Sequence, residues 1–148
     1  MTQILTLSTK NLPEIKELFR SVFTLPPWND DWSNDVQLEE YLLDVMTARN
    51  PLNLGFYKDK ELIGLALGYI KHWCSGTEYF INELCIRPDL QGNGYGTIFL
   101  QGIEDILRYE KIGTIFLLTE RDVPAYEFYK QRGFEETPNQ TAFFKNID

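Results

Sequence analysis

Apolar residues recur along this chain at two spacings, and the switches between them mark out the elements. "QILTLS" (Gln3 to Ser8) alternates apolar and polar positions, which predicts a strand. From Leu12 the spacing lengthens: Leu12, Ile15, Leu18, Phe19 and Val22 fall on one helical face, with Asn11, Pro13 and Glu14 as a start signal. "TLPPWNDDW" ends that helix, because Pro26 and Pro27 cannot continue it. A second helix is expected from Ser33 or Asn34, with Leu38, Tyr41, Leu42 and Val45 on one face and Asn50-Pro51 as its stop.

The pattern then shortens again. "LNLGFYK" and "ELIGLALGYIKHW" flank Asp59 and read as a hairpin; "EYFINELCIR", Glu78 to Arg87, reads as a further strand stopped by Pro88-Asp89. A glycine-rich loop follows, then a helix with Phe99, Ile103, Ile106 and Leu107 inward and a Glu104–Arg108 pair outward. "TIFLLT", Thr114 to Thr119, is nearly all apolar, as in a strand buried on both faces. Asp122 is placed to cap a fourth helix, with Pro124 near its start and Gly133 at its end. "FEET" and "TAFFKN", joined by "PNQ", read as two closing strands. The predicted order is β-α-α-β-β-β-α-β-α-β-β: a mixed α/β fold with one central sheet, helices on both faces, and a single domain over residues 1–148.

Composition narrows the function. A formal charge of -8 and a pI near 4.7 argue against nucleic acid, whose phosphates need a basic stripe, and favour a cationic ligand. "MTQILTLSTK" lacks the charged start and apolar core of a secretory signal, and the run Leu62 to Ile70 is too short to span a bilayer. Cys74 and Cys85 have no neighbouring Cys or His cluster, and His72 stands alone, so no metal is expected. These features predict a cytoplasmic protein with reduced thiols and no membrane partner.

The loop "QGNGYG", Gln91 to Gly96, carries the chemistry. Its third glycine comes one residue early for the dinucleotide fingerprint, and no Lys-Ser/Thr follows as a nucleotide triphosphate loop requires. Glycines without Cβ atoms, ahead of a helix N-terminus, still suit an anion. The loop resembles the Q/R-x-x-G-x-G/A signature of the GCN5-related N-acetyltransferase (GNAT) family, and "VPAYEFYKQRGFEE" resembles its second hallmark, A-x-x-F-Y-x-x-x-G-F, at Ala125, Phe128, Tyr129, Gly133 and Phe134.

That resemblance implies acetyl-CoA as co-substrate. Its pyrophosphate would lie on Gln91, Gly92, Asn93, Gly94, Tyr95, Gly96 and Thr97, and its pantetheine arm would pair with the backbone of Leu84, Cys85 and Ile86 between two splayed strands. Tyr129 matches the family's proton donor to the departing thiolate, or is a core aromatic. Glu83 matches an acidic position that can serve as general base; on a regular strand it would share a face with Ile81 and Cys85 and oppose Leu84. Glu78 is a second candidate. Many members have Asn where this chain has Asp122, so its cofactor contact competes with its capping role, and Gln91 stands where Arg is commoner.

For the acceptor, Trp28 to Asp44 carries Asp30, Asp31, Asp35, Glu39, Glu40 and Asp44 without a single Lys or Arg. Trp28 and Trp32 bracket Asp30 and Asp31, and Trp73 ends a strand; together they form either an aromatic-acidic lip for a cation or packing residues with a solvated helix face. A small cationic amine is expected first (a polyamine, an aminoglycoside-like compound or another amino compound). A protein N-terminus or lysine comes second, and a non-catalytic acyl-CoA binder is the remaining class. A homodimer through the sheet edges is a further expectation.

Overall fold

A computed structural model describes every residue from Met1 to Asp148, and the expected strand–helix order holds through the fourth helix. Its contacts group into two units, Met1–Leu118 and Thr119–Asp148.

The first unit contains β1 (Thr2–Thr6), α1 (Leu12–Phe23), α2 (Asp35–Met46), β2 (Pro51–Lys58), β3 (Glu61–Trp73), β4 (Gly76–Ile86), α3 (Tyr95–Tyr109) and β5 (Thr114–Leu117). The sheet runs β1-β2-β3-β4-β5, antiparallel throughout except for the parallel β4–β5 pair. α1 and α2 bury Ile15, Leu18, Phe19, Leu38 and Leu42 against Tyr57, Leu65, Leu67 and Cys85 on one face. α3 buries Phe99, Ile103 and Leu107 against Leu54, Phe56, Ala66, Tyr79 and Ile81 on the other. Phe56 and Phe99 stack with centroids 4.8 Å apart.

Local chemistry sets the boundaries. The Asn34 side chain accepts from the Gln37 N–H at 3.1 Å and so starts α2 where expected. That helix stops at Met46, short of Asn50-Pro51, and Pro51 instead opens β2. The β2–β3 turn uses Asp59 and Lys60 at φ 50° and 71°, the pair of left-handed residues that suits a two-residue hairpin.

One irregularity decides the geometry of the site. Leu67 pairs with Glu83 while Gly68 pairs with Ile81, leaving Asn82 as an extra residue in β4. Side chains alternate along a regular strand, so this bulge shifts the phase. Ile81 faces α3, as do Leu84 and Ile86, whereas Cys85 faces α1 and α2. Glu83 therefore shares the face of Cys85 and opposes Leu84, as the alternation predicts, but Ile81 lies on the other face. The bulge is the reason.

In the second unit, α4 spans Pro124–Gln131. Its N-cap is Val123, with no side-chain capping bond, so Asp122 is not the cap: the extended Val123 backbone turns straight into Pro124. The end is as expected, with Gly133 at φ 89° and the Phe134 N–H donating to the Tyr129 carbonyl at 3.0 Å. "FEET" and "TAFFKN" form no strands. Glu136 is instead held by Arg121 and Tyr126 at 2.8 and 2.7 Å, Pro138 has no N–H to give a ladder, and Phe143 and Phe144 stand 94% and 91% exposed. The structure thus has five strands where the sequence pattern suggested seven.

Candidate active site

The parallel ladder between β4 and β5 ends at Ile81–Leu117, yet β4 continues to Ile86. Its last stretch is paired on the β3 side alone. The Arg87 N–H donates to the Ile63 carbonyl at 2.7 Å, which makes Gly64–Ile86 a non-hydrogen-bonded pair and Leu65–Cys85 a bonded one. Alternation then turns the backbone groups of Leu84 and Ile86 away from β3, while those of Cys85 are spent on it. Leu84 and Ile86 thus keep backbone groups unspent on β3, the Ile86 carbonyl accepting from Gln91 instead, whereas Cys85 keeps none.

The glycine loop follows directly. Gly92 and Gly94 sit at φ 79° and 84°, which only glycine adopts without cost, and a Cβ at either would meet nothing within 4 Å. Gly94 is the N-cap of α3 and brings no capping side chain, so the first-turn N–H groups of Tyr95 and Gly96 are left for an outside acceptor. Two side chains expected to face a ligand brace the loop instead. Gln91 donates to the Ile86 carbonyl at 2.9 Å, and Asn93 donates to the Leu90 and Gln91 carbonyls at 3.3 and 3.2 Å. What the loop offers an acceptor is therefore its backbone N–H groups and the dipole of α3.

Glu83 lies on the opposite side of β4 from Leu84, under α2. The Tyr41 hydroxyl donates to its Oε1. Its Oε2 has no partner and reaches solvent. Loss of hydration pushes the Glu83 carboxyl up to about 7; the bond from Tyr41 opposes that rise and the nearby Asp30 charge adds to it. A carboxyl in this range can take a proton from an amine near neutral pH. Trp32 stacks on the Tyr41 ring at 5.3 Å.

These features meet a sequence-wide match: residues 12–134 fit the model of the Acetyltransferase (GNAT) family. The chain belongs to that family. Among relatives, it is 38% identical over 82 residues to ycf52, an uncharacterized N-acetyltransferase of Gracilaria tenuistipitata var. liui, covering 55% of this chain and 42% of that protein. The match thus spans less than half of that relative's length. Among solved structures, an aminoglycoside acetyltransferase from an uncultured soil metagenomic sample, in complex with sisomicin, aligns with a TM-score of 0.75 at 16% identity over 99% of this chain and 97% of that one. A ribosomal-protein-alanine N-acetyltransferase from Brucella melitensis biovar Abortus 2308 aligns with a TM-score of 0.73 at 15% identity, over 99% and 100%. Both likenesses establish the shared fold. GNAT acetyltransferases draw their acetyl group from acetyl-CoA.

The remaining residues expected in a GNAT site are placed as follows. Tyr129 lies on α4 in the second unit, half-buried, with Phe128 and Phe134 at ring distances of 5.5 and 5.2 Å. Asp122 is exposed just ahead of that helix. The connection between α1 and α2 holds Trp28 against Phe23 at 5.5 Å and Trp32 against Phe19 at 5.4 Å, so both indoles act in packing. The Ser33 hydroxyl, and then the Ser33 N–H donating at 3.0 Å, hold the Asp31 carboxyl below the usual range. Asp30 is the member of the pair whose charge reaches Glu83 and Tyr41. Asp35 and Glu39 are met by Lys16 and Arg20 of α1, so the acidic run is partly neutralised by a helix remote in sequence.

Trp73 pairs with Gly76 at the far end of the β3–β4 hairpin, about 20 Å along the strand from Glu83 at ~3.3 Å per residue. It is 55% exposed there, beneath the Lys71 ammonium, and does not join the cluster. A groove of about 820 Å³ along the outer side of α1 is lined by Lys16, Arg20, Asp35 and Glu39 among others; it shares no residue with the Glu83 cluster or the glycine loop. Tyr41 was legible in the sequence only as an inward helix position, and nothing in it marks its bond to Glu83.

Proposed function

We propose that this chain transfers the acetyl group of acetyl-CoA to the primary amine of a small cationic molecule, as a single N-acetyltransferase domain over residues 1–148. The observation that carries the reading is the Glu83 carboxyl, poised near neutrality on the stretch of β4 that β5 leaves unpaired. Backbone N–H groups from Gly92 to Thr97 would hold the pyrophosphate, and the outward backbone of Leu84 and Ile86 would hold the pantetheine arm. These residues fit the cofactor: the positive-φ glycines leave room for an anion, and the strand edge offers donors and an acceptor.

The chemistry needs a neutral amine. Glu83 Oε2 takes the proton, directly or through water; nitrogen then bonds to the thioester carbonyl carbon and the carbon–sulfur bond breaks. Tyr129 donates a proton to the leaving thiolate and is restored by the proton that the acylated nitrogen then loses, a role that rests on its place in the motif. Asp30 and the neighbouring acidic side chains favour a cation over an anion as acceptor. We place the activity in the cytoplasm; no helix is long and apolar enough to cross a membrane.

The test is thiol release from acetyl-CoA with kanamycin, spermidine and an alanine-N-terminal peptide as acceptors. Turnover with either small amine supports the reading, turnover with the peptide alone replaces it by protein N-terminal acetylation, and none above hydrolysis leaves an acyl-CoA binder. With an accepted amine, kcat/KM should rise through about pH 7, following Glu83, and Glu83→Gln should remove that rise. Tyr129→Phe should lower kcat under chemistry-limited conditions; an unchanged kcat removes Tyr129 from the acid role.

A further inference from the structure

Glu83 is held from one direction only. Tyr41 reaches it from α2, across the layer between helix and sheet, and its hydroxyl bonds Oε1 alone. The ring making that reach is itself fixed. Trp32 stacks on it at 5.3 Å and 29°, and Phe19 of α1 contacts it at 6.0 Å. Trp32 is tied in turn by its carbonyl, which accepts from Arg20 Nε at 3.1 Å, and its indole N–H is buried without a partner. A buried unpaired donor costs free energy, so the indole is placed there for its ring face and not for its N–H.

We infer that Tyr41 is a positioning residue: it clamps one oxygen of the Glu83 carboxylate and so presents the other, Oε2, to the incoming amine. This inference rests on the reading of Glu83 as base. An unclamped carboxylate rotates about its last torsion and offers either oxygen; the bond from a phenol locked between Trp32 and Phe19 removes that freedom.

The same bond governs the pH at which Glu83 ionises. The charged or titratable groups around the carboxyl are Tyr41 from α2, Asp30 from the α1–α2 connection and the Cys85 thiol on its own strand. From β3 it meets apolar Leu67, its pairing partner. Tyr41 is the one group among these that favours the ionised form, because a phenol donates to a carboxylate more strongly than to a neutral carboxyl. The Tyr41 phenol itself is pushed well above the ordinary range by burial and by Glu83, so it remains a donor across the working pH range.

The experiment compares the wild-type chain with Tyr41→Phe, which keeps the ring and its stacking and removes the hydroxyl. Glutamate is labelled with carbon-13 at its carboxyl, the Glu83 signal is assigned by its loss in Glu83→Gln, and the titration is followed by NMR. The Glu83 midpoint should move up by about one to two pH units, the equivalent of one hydrogen bond to a charged group. The rise of kcat/KM with an accepted amine from the panel should move with it, and Tyr41→Phe should add nothing in a Glu83→Gln background. Folding of the variant is checked by circular dichroism, and Tyr41→Trp gives a second test that also removes the hydroxyl. A Glu83 signal that titrates at the same pH with and without the hydroxyl overturns the inference. A signal that moves while the rate profile stays put upholds the clamp and overturns Glu83 as base.

Discussion

Gly68→Ala should be the most damaging single-methyl change in the sheet. A Cβ at Gly68 would lie 2.1 Å from the Phe80 carbonyl oxygen and 3.0 Å from the Ile81 Cα. Both are backbone atoms of β4, so no rotamer change relieves them, and the two strands must part by about 1 Å. Gly68 also donates its N–H to Asn53 Oδ1 at 3.2 Å, and Asn53 in turn donates to the Met46 carbonyl at 2.9 Å, so the displacement strains a buried polar pair that ties α2 to the sheet. Overpacking of about 2 kcal/mol, with one or two weakened hydrogen bonds at about 1 kcal/mol each, gives roughly 3–4 kcal/mol of lost stability. In a chain of this size that lowers Tm by roughly 10 °C. Urea unfolding read by tryptophan fluorescence measures it. Gly113→Ala is the control, since a Cβ there meets nothing within 4 Å, and it should stay within about 0.5 kcal/mol of wild type. If Gly68→Ala matches that control, the close approach of β3 to the bulged strand is wrong.

Three further outcomes follow from other features. Gly94→Ala places a side chain at φ 84° in open space; the strain of about 1 kcal/mol should distort the loop, raising KM for acetyl-CoA several-fold with little change in kcat. Stability should fall as pH rises: Glu83 binds its proton more tightly folded (about 7) than at the ordinary 4.5, so the folded chain holds the extra proton between those values. Its contribution is complete below about pH 4.5, declines through about 7, and amounts to about 3 kcal/mol; denaturant midpoints across that window should show a decline that Glu83→Gln abolishes. Native protein should react with a thiol reagent at exposed Cys74 and not at Cys85, whose thiol burial pushes well up, and both should react once unfolded.

Periodicity read the helices well because each buries one stripe: the inward residues predicted for α1 and α2 are buried except Tyr41, which is half-buried and bonded to Glu83. It failed where a single residue or a distant partner decides. Asn82 looks like any strand residue, and only its register with Gly68 and Leu67 reveals the bulge that turns Ile81 away from Glu83. "TAFFKN" has strand composition, but a strand also needs a neighbour for its backbone groups. The loop was legible because positive φ leaves a glycine requirement in the sequence, whereas Gln91 and Asn93 could as well face a ligand as brace the turn. The acidic run looked unneutralised because Lys16 and Arg20 lie in an earlier helix.

The extra residue at Asn82 also governs how this gene can change length. Deleting it would set Ile81 and Glu83 side by side opposite Gly68 and Leu67 in an unbroken ladder, with Ile81 still facing α3 and Glu83 still on the side of Cys85. A codon lost at Leu84 has no bulge to absorb it: Cys85 would turn toward α3 and Ile86 toward α1 and α2. The strand can therefore shorten at Asn82 without moving the acid, and not two residues further on.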